Sequence, residues 1–264
     1  MIASVGMALT ACVAPLPQAR TTSSTPDRVP IAEAPVVDVP PVEHADPKTP
    51  EESAPAPANA SANANVSEGT ILIIGDSHAL GPFGWRLANR LTGSARLVVT
   101  EGACGATTET FWKVPQVACG YAVVERTRDG AMRAVVNETG PAKADTLDTM
   151  MTKFSPSVVV VVLGTNYPRA PVAEGADEFM KRLCRDGSCP RVFWIGPPSF
   201  GGLASGYISK SIKSALERWD GATFIDSTAF NEKTPLPLRT PHFRDGQARQ
   251  WADYAFDRIS PALH

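Results

Sequence analysis

The stretch that most constrains this chain is Ser157-Val-Val-Val-Val-Val-Leu163. Its β-branched side chains favour a pleated strand, and both alternating faces of that strand are apolar, so both must be covered. A strand of this kind belongs at the centre of a parallel sheet with helices above and below. Other segments agree. Thr70–Ile74, Ala95–Thr100, Val192–Ile195 and Thr223–Ile225 read as further strands. Leu80–Leu91, Thr146–Phe154, Val172–Leu183, Tyr207–Trp219 and Gln247–Ile259 space their apolar residues as helices do. Tyr121–Glu125 and Ala131–Val136 flank Arg-Asp-Gly and read as a hairpin inserted into the fold. Strands alternating with helices predict an α/β fold, a flavodoxin-like three-layer α/β/α sandwich. Right-handed crossovers then place every strand-to-helix loop at the carboxyl edge of the sheet, where ligands of such folds bind.

This pattern occupies residues 69–264. Before it, residues 13–68 carry eleven prolines and no aromatic residue, with 8 acidic and 3 basic side chains. Such a segment buries too little apolar surface to offset its ordering entropy and is expected to be a disordered linker. Residues 69–264 carry 19 acidic and 22 basic side chains with no Lys/Arg run, which leaves no nucleic-acid footprint.

Residues 1–12 are apolar, too short to span a bilayer, and end in Leu9-Thr10-Ala11-Cys12. This resembles the lipobox of bacterial lipoproteins, whose Cys becomes the acylated first residue. It departs from the usual pattern in having no Lys or Arg ahead of the apolar run. The resemblance implies an exported lipoprotein held on the membrane of the cell envelope through Cys12, with the periplasmic side expected. Setting Cys12 aside, four cysteines remain, in two local pairs. An even number in an oxidising compartment predicts the disulfides Cys104–Cys119 and Cys184–Cys189. Zinc is the competing reading of four cysteines, but there is no C-x-x-C and only four His. No residue pattern calls for a metal or nucleotide cofactor.

The first strand runs into Gly75-Asp76-Ser77-His78. A serine on a tight turn at the start of a helix exposes its hydroxyl where backbone amides favour negative charge, although Gly-Asp-Ser is also a common N-capping turn. Gly102-Ala-Cys-Gly105 follows the second strand, Leu163-Gly-Thr-Asn166 ends the valine run, and His242 lies just before the last helix. In this order the four blocks resemble the SGNH/GDSL hydrolases, and Phe193-Trp-Ile-Gly-Pro197-Pro198 adds likeness to an exported bacterial subgroup. The resemblance implies Ser77 as nucleophile and His242 as base. It also implies an oxyanion hole from the Ser77 and Gly105 amides and the Asn166 side chain. One position departs: the family's Asp-x-x-His reads Arg239-Thr-Pro-His242 here. Asp226 or Asp245 is then the candidate to orient His242.

The implied activity is serine esterase, with an ester substrate, an O-acetyl group on a cell-envelope glycan being preferred. An O-acyltransferase with the same site, or a glycan-binding protein that has lost the triad Asp, are the alternatives.

Overall fold

The computed structural model describes residues 68–167, 172–185, 187–198, 205–235 and 242–263. Cys12, the linker up to residue 67 and Arg239 lie outside the described residues.

The valine run forms β7 (Val158–Val162), and it lies inside a seven-stranded sheet with β1 (Thr70–Gly75) on one side and β8 (Arg191–Ile195) on the other. β2 (Leu97–Ala103) lies beyond β1, and β9 (Ala222–Ile225) beyond β8. These five strands are parallel, and their order, second-first-third-fourth-fifth along the chain, is the flavodoxin-like one. The fold is therefore the expected α/β/α sandwich.

The sheet separates two cores. Ile71, Ile73, Val158 and Val160 point to one side, against Phe83 and Leu87 of α2 (Pro82–Leu91) and Trp251 and Ala252 of α7 (Asp245–Ile259). Leu72, Ile74, Val159 and Val161 point to the other. That face is covered by α3 (Leu147–Phe154), α4 (Val172–Leu183) and α5 (Ser205–Leu216). Alternate residues of one all-apolar strand thus fill both cores, the arrangement its composition requires. Among the described residues, no helix is long and apolar enough to cross a membrane.

Three local features differ from expectation. The helix expected over Leu80–Leu91 is two helices, α1 (Ser77–Leu80) and α2, parted by an extended Gly81. Pro82 is the reason, since it disfavours helical geometry at the preceding residue and suits the first turn of the next helix. The hairpin is not a separate insertion. Its strands, β4 (Tyr121–Thr127) and β5 (Met132–Glu138), extend the main sheet, β4 pairing antiparallel with β2 from Leu97↔Thr127 to Ala103↔Tyr121. That pairing also explains why β2 runs on to Ala103 rather than stopping at Thr100: it has a partner on each side as far as Gly102. Finally, a short two-stranded ribbon, β3 (Gln116–Val117) with β6 (Ala142–Lys143), and a six-residue helix, α6 (Thr228–Lys233), carry no signal strong enough to read from sequence.

Both expected disulfides are present, Cys104–Cys119 and Cys184–Cys189. The first closes a loop of 15 residues, a constraint worth about 3 kcal/mol on the unfolded chain. It ties the loop after β2 to the start of β4.

Candidate active site

Three loops at the carboxyl edge of the sheet and the segment before α7 carry the candidate residues. The first loop is shaped by Gly75: a Cβ there would lie 2.7 Å from Ala79 Cβ and 3.0 Å from Val162 Cβ, so only glycine lets the chain turn this close to β7. Asp76 follows in extended conformation and caps α1, its Oδ1 accepting from the His78 amide at 2.9 Å. Asp76 is fully buried, and burial pushes its carboxyl up to about 7 against the hydrogen bonds from the His78 amide and the Thr165 side chain. Ser77, half-buried, is the first residue of α1.

The second loop leaves β2 through Cys104, whose amide donates to Gly120 O at 2.8 Å. Gly105 then takes φ +78, a left-handed conformation that favours glycine. Neither the Ser77 nor the Gly105 amide donates to a backbone carbonyl among the described residues. The third loop leaves β7 and presents Asn166, whose Nδ2 donates to Asp76 Oδ2 and to Ala106 O, both at 3.2 Å. One side chain thereby joins all three loops. Its neighbour Tyr167 reinforces the join, donating to Thr108 Oγ1 at 2.7 Å and accepting from the Thr108 amide at 3.0 Å. Pro197 packs on Gly164, close enough that a Cβ there would meet Pro197 Cδ at 2.8 Å.

His242 comes from the far end of the chain. Its Nε2 lies 3.3 Å from Ser77 Oγ, across 165 residues of sequence. The neighbouring Phe243 is buried, its ring 5.4 Å from Phe230 and 5.6 Å from Trp251, which anchors the segment. The His242 ring is exposed but packs on His78, with centroids 4.8 Å apart, and His78 in turn meets the Trp251 edge at 5.2 Å. Burial pushes His78 down to about 3, followed by repulsion from His242. His78 is therefore neutral near pH 7 and sets no positive charge against an imidazolium on His242. Partial desolvation also holds His242 below the usual histidine range.

Of the two candidate orienters, Asp226 is exposed just before α6, its Oδ1 accepting from the Thr228 amide at 2.8 Å. Asp245 is exposed in the first turn of α7. The residues that sequence reasoning missed are His78, Tyr167 and Trp251. His78 and Tyr167 had adjacency to Ser77 and Asn166 as a signal, while Trp251 had none, because its partners lie far away in sequence.

Beside Asn166 opens a cavity of about 660 Å³, lined among others by Thr108, Trp112, Tyr167, Glu174 and Lys181. Among the described residues, no group of three or more His, Cys, Asp and Glu side chains is placed to hold a metal ion.

No family model matches the chain. It is similar to Protein BcsX of Komagataeibacter xylinus, 27% identical over 208 residues, which cover 74% of this chain and 78% of BcsX. Among solved structures it is similar to a DUF4886 family protein from Bacteroides uniformis, with TM-score 0.49 and 12% identity over 74% of this chain and 84% of that one. It is also similar to Est24, a carbohydrate acetylesterase from Sinorhizobium meliloti, with TM-score 0.48 and 15% identity over 74% and 99%. A peptidoglycan O-acetylesterase gives TM-score 0.46 and 12% identity over 77% and 93%. Identities and TM-scores this low assign the chain neither a family nor an activity.

Proposed function

We propose that the chain is a serine esterase of SGNH type, removing an O-acetyl group from a cell-envelope glycan through an acyl-enzyme on Ser77. The observation that carries this is the 3.3 Å separation of Ser77 Oγ and His242 Nε2, beside the Gly105 and Asn166 loops. Two side chains 165 residues apart meet at hydrogen-bonding distance where a nucleophile and its base would have to meet.

In this mechanism His242 Nε2 accepts the Ser77 proton as Oγ attacks the ester carbonyl. The oxyanion takes hydrogen bonds from the Ser77 and Gly105 amides. Asn166 joins them by exchanging its bond to Ala106 O for one to the oxyanion, while its bond to Asp76 keeps the side chain in place. Donors of this kind are worth a few kcal/mol each. The intermediate collapses, the sugar alkoxide leaves with the proton from His242, and Ser77 holds the acyl group. Water then attacks, giving its proton to His242, and acetate leaves as Ser77 regains its hydrogen. The cavity beside Asn166, where Thr108, Glu174 and Lys181 stand beside the Trp112 ring, suits a polyhydroxylated substrate. The direct test is release of p-nitrophenol from p-nitrophenyl acetate by the full chain with its disulfides oxidised.

A pH dependence follows. The base form of His242 is the neutral ring, and desolvation favours that form, so the acid limb of kcat/KM is expected at a pKa below the ordinary histidine value of 6.5. Activity should persist below pH 6.5 and fall on further acidification. A limb at or above 6.5 would rule out His242 in this environment as the base.

The same proposal includes export and anchoring through Cys12. Its support is the lipobox-like Leu9–Cys12 together with two disulfides, which are characteristic of oxidising compartments and rare in reducing ones. In a bacterial host, the full chain should sediment with membranes and the C12S variant should stay soluble. Equal distribution of the two would end the anchoring part of the proposal.

A further inference from the structure

On the sheet face that carries α2, a second cavity of about 320 Å³ lies between Leu80 and Trp85 on one side and strands β4 and β5 on the other. Strand register builds its floor. Thr100 of β2 pairs with Val124 of β4, which pairs with Ala134 of β5, and Arg126 pairs with Met132. Ala122, Val124 and Ala134 make this floor largely apolar.

Two polar groups break the pattern. Arg126 is only 4% exposed, its Nη2 has no hydrogen-bond partner, and it makes no ion pair among the described residues. Thr100 is 5% exposed, and its hydroxyl is likewise without a partner. The Arg126 guanidinium stands 5.1 Å from the centre of the Trp85 ring, and Trp85 is 48% exposed despite its size.

A buried cation with only an aromatic face beside it and no counter-ion costs stability, and arginine cannot shed its charge as lysine can. The strand itself does not require it: an apolar residue would satisfy this face of β4 as Ala122 and Val124 do. A partner from outside the chain would explain the arrangement. We propose that this cavity binds a carboxylate carried on a small ring, such as the acid group of a uronic sugar. Arg126 presents its unpartnered Nη2 to the carboxylate, Thr100 donates its hydroxyl to the same group, and the exposed Trp85 face covers the ring. One cation matches one negative charge. Among the described residues no second Lys or Arg lines the cavity, and Glu138 at the rim opposes a dianion such as a phosphate ester. Ala79 and Leu80, two and three residues beyond Ser77, form part of the wall, so the cavity is bounded by the helix that begins at Ser77. It stands whether or not Ser77 is a nucleophile.

The test is calorimetric titration of the full chain with sodium glucuronate, glucose and glucose 6-phosphate. Glucuronate is expected to bind about tenfold or more tighter than either of the others, and R126Q and W85A should each weaken it by about tenfold or more. Separately, R126M without ligand should keep or raise Tm, because it removes an unpaired buried charge, whereas an arginine serving only the fold would lower Tm on replacement. Four results would overturn the proposal. They are no glucuronate binding, equal binding of glucose or glucose 6-phosphate, binding indifferent to R126Q or W85A, or a marked fall of Tm in R126M.

Discussion

Ser77→Ala should lower kcat/KM for p-nitrophenyl acetate by about 10⁴-fold or more, and His242→Ala should do nearly the same. The two side chains act as one unit: the hydroxyl is a poor nucleophile until the imidazole 3.3 Å away takes its proton. Removing both should therefore cost little more than removing either, a non-additivity that two unrelated contributions would not show. Neither substitution disturbs the buried core, because Ser77 is half-buried and His242 exposed, so circular dichroism should report both variants as folded. Full activity in Ser77→Ala would remove Ser77 as nucleophile. A folded parent that turns over no ester, alone or with an acceptor sugar, would leave the glycan-binding alternative standing in place of the enzyme. Product that appears only with acceptor would identify a transferase.

Trp251→Ala is expected to cost about 3–5 kcal/mol of stability, a fall in Tm of about 6–20 °C for a domain of this size. Trp251 is fully buried, lies 3.9 Å centroid to centroid from Phe83, and donates through Nε1 to Ser227 Oγ at 2.9 Å. It fastens α7 to α2 and therefore to the β1–α1 turn. It also touches the rings of His78 and Phe243, the two neighbours that locate His242. Activity should consequently fall in the variant even at temperatures where it is folded. Trp251→Phe retains a stacked ring but loses the N–H donor and part of the indole volume, while Ser227 keeps its own bond to Gly196 O at 2.7 Å. Its cost should be about 1–3 kcal/mol, below that of the alanine variant. Urea titration of the three proteins measures both figures. A loss under about 1 kcal/mol for Trp251→Ala would mean that α7 is held by something other than this contact.

The chain's own letters determined a good deal. Five parallel strands were legible because β-branched apolar runs favour pleated backbone within the span of a few residues. The two disulfides were legible because each pair lies close along the chain, 15 and 5 residues apart. The positions of Ser77, Gly105, Asn166 and His242 in loops after strands, or before the last helix, followed from the same element reading. The break at Gly81 was also written locally, in Pro82, but helical spacing across Leu80–Leu91 masked it.

What only the tertiary structure decided depends on partners far apart in sequence. The hairpin's pairing with β2 is one such case: alternation within β4 cannot say which edge it will join, yet that choice builds the Arg126 cavity. The contact of His78 with His242 and Trp251 is another, spanning more than 160 residues, and so is the way Asn166 reaches Asp76 and Ala106 at once. Local propensity and periodicity are set by neighbouring residues. Convergence of side chains is set by crossover and register, which exist only once the two cores have closed around the sheet.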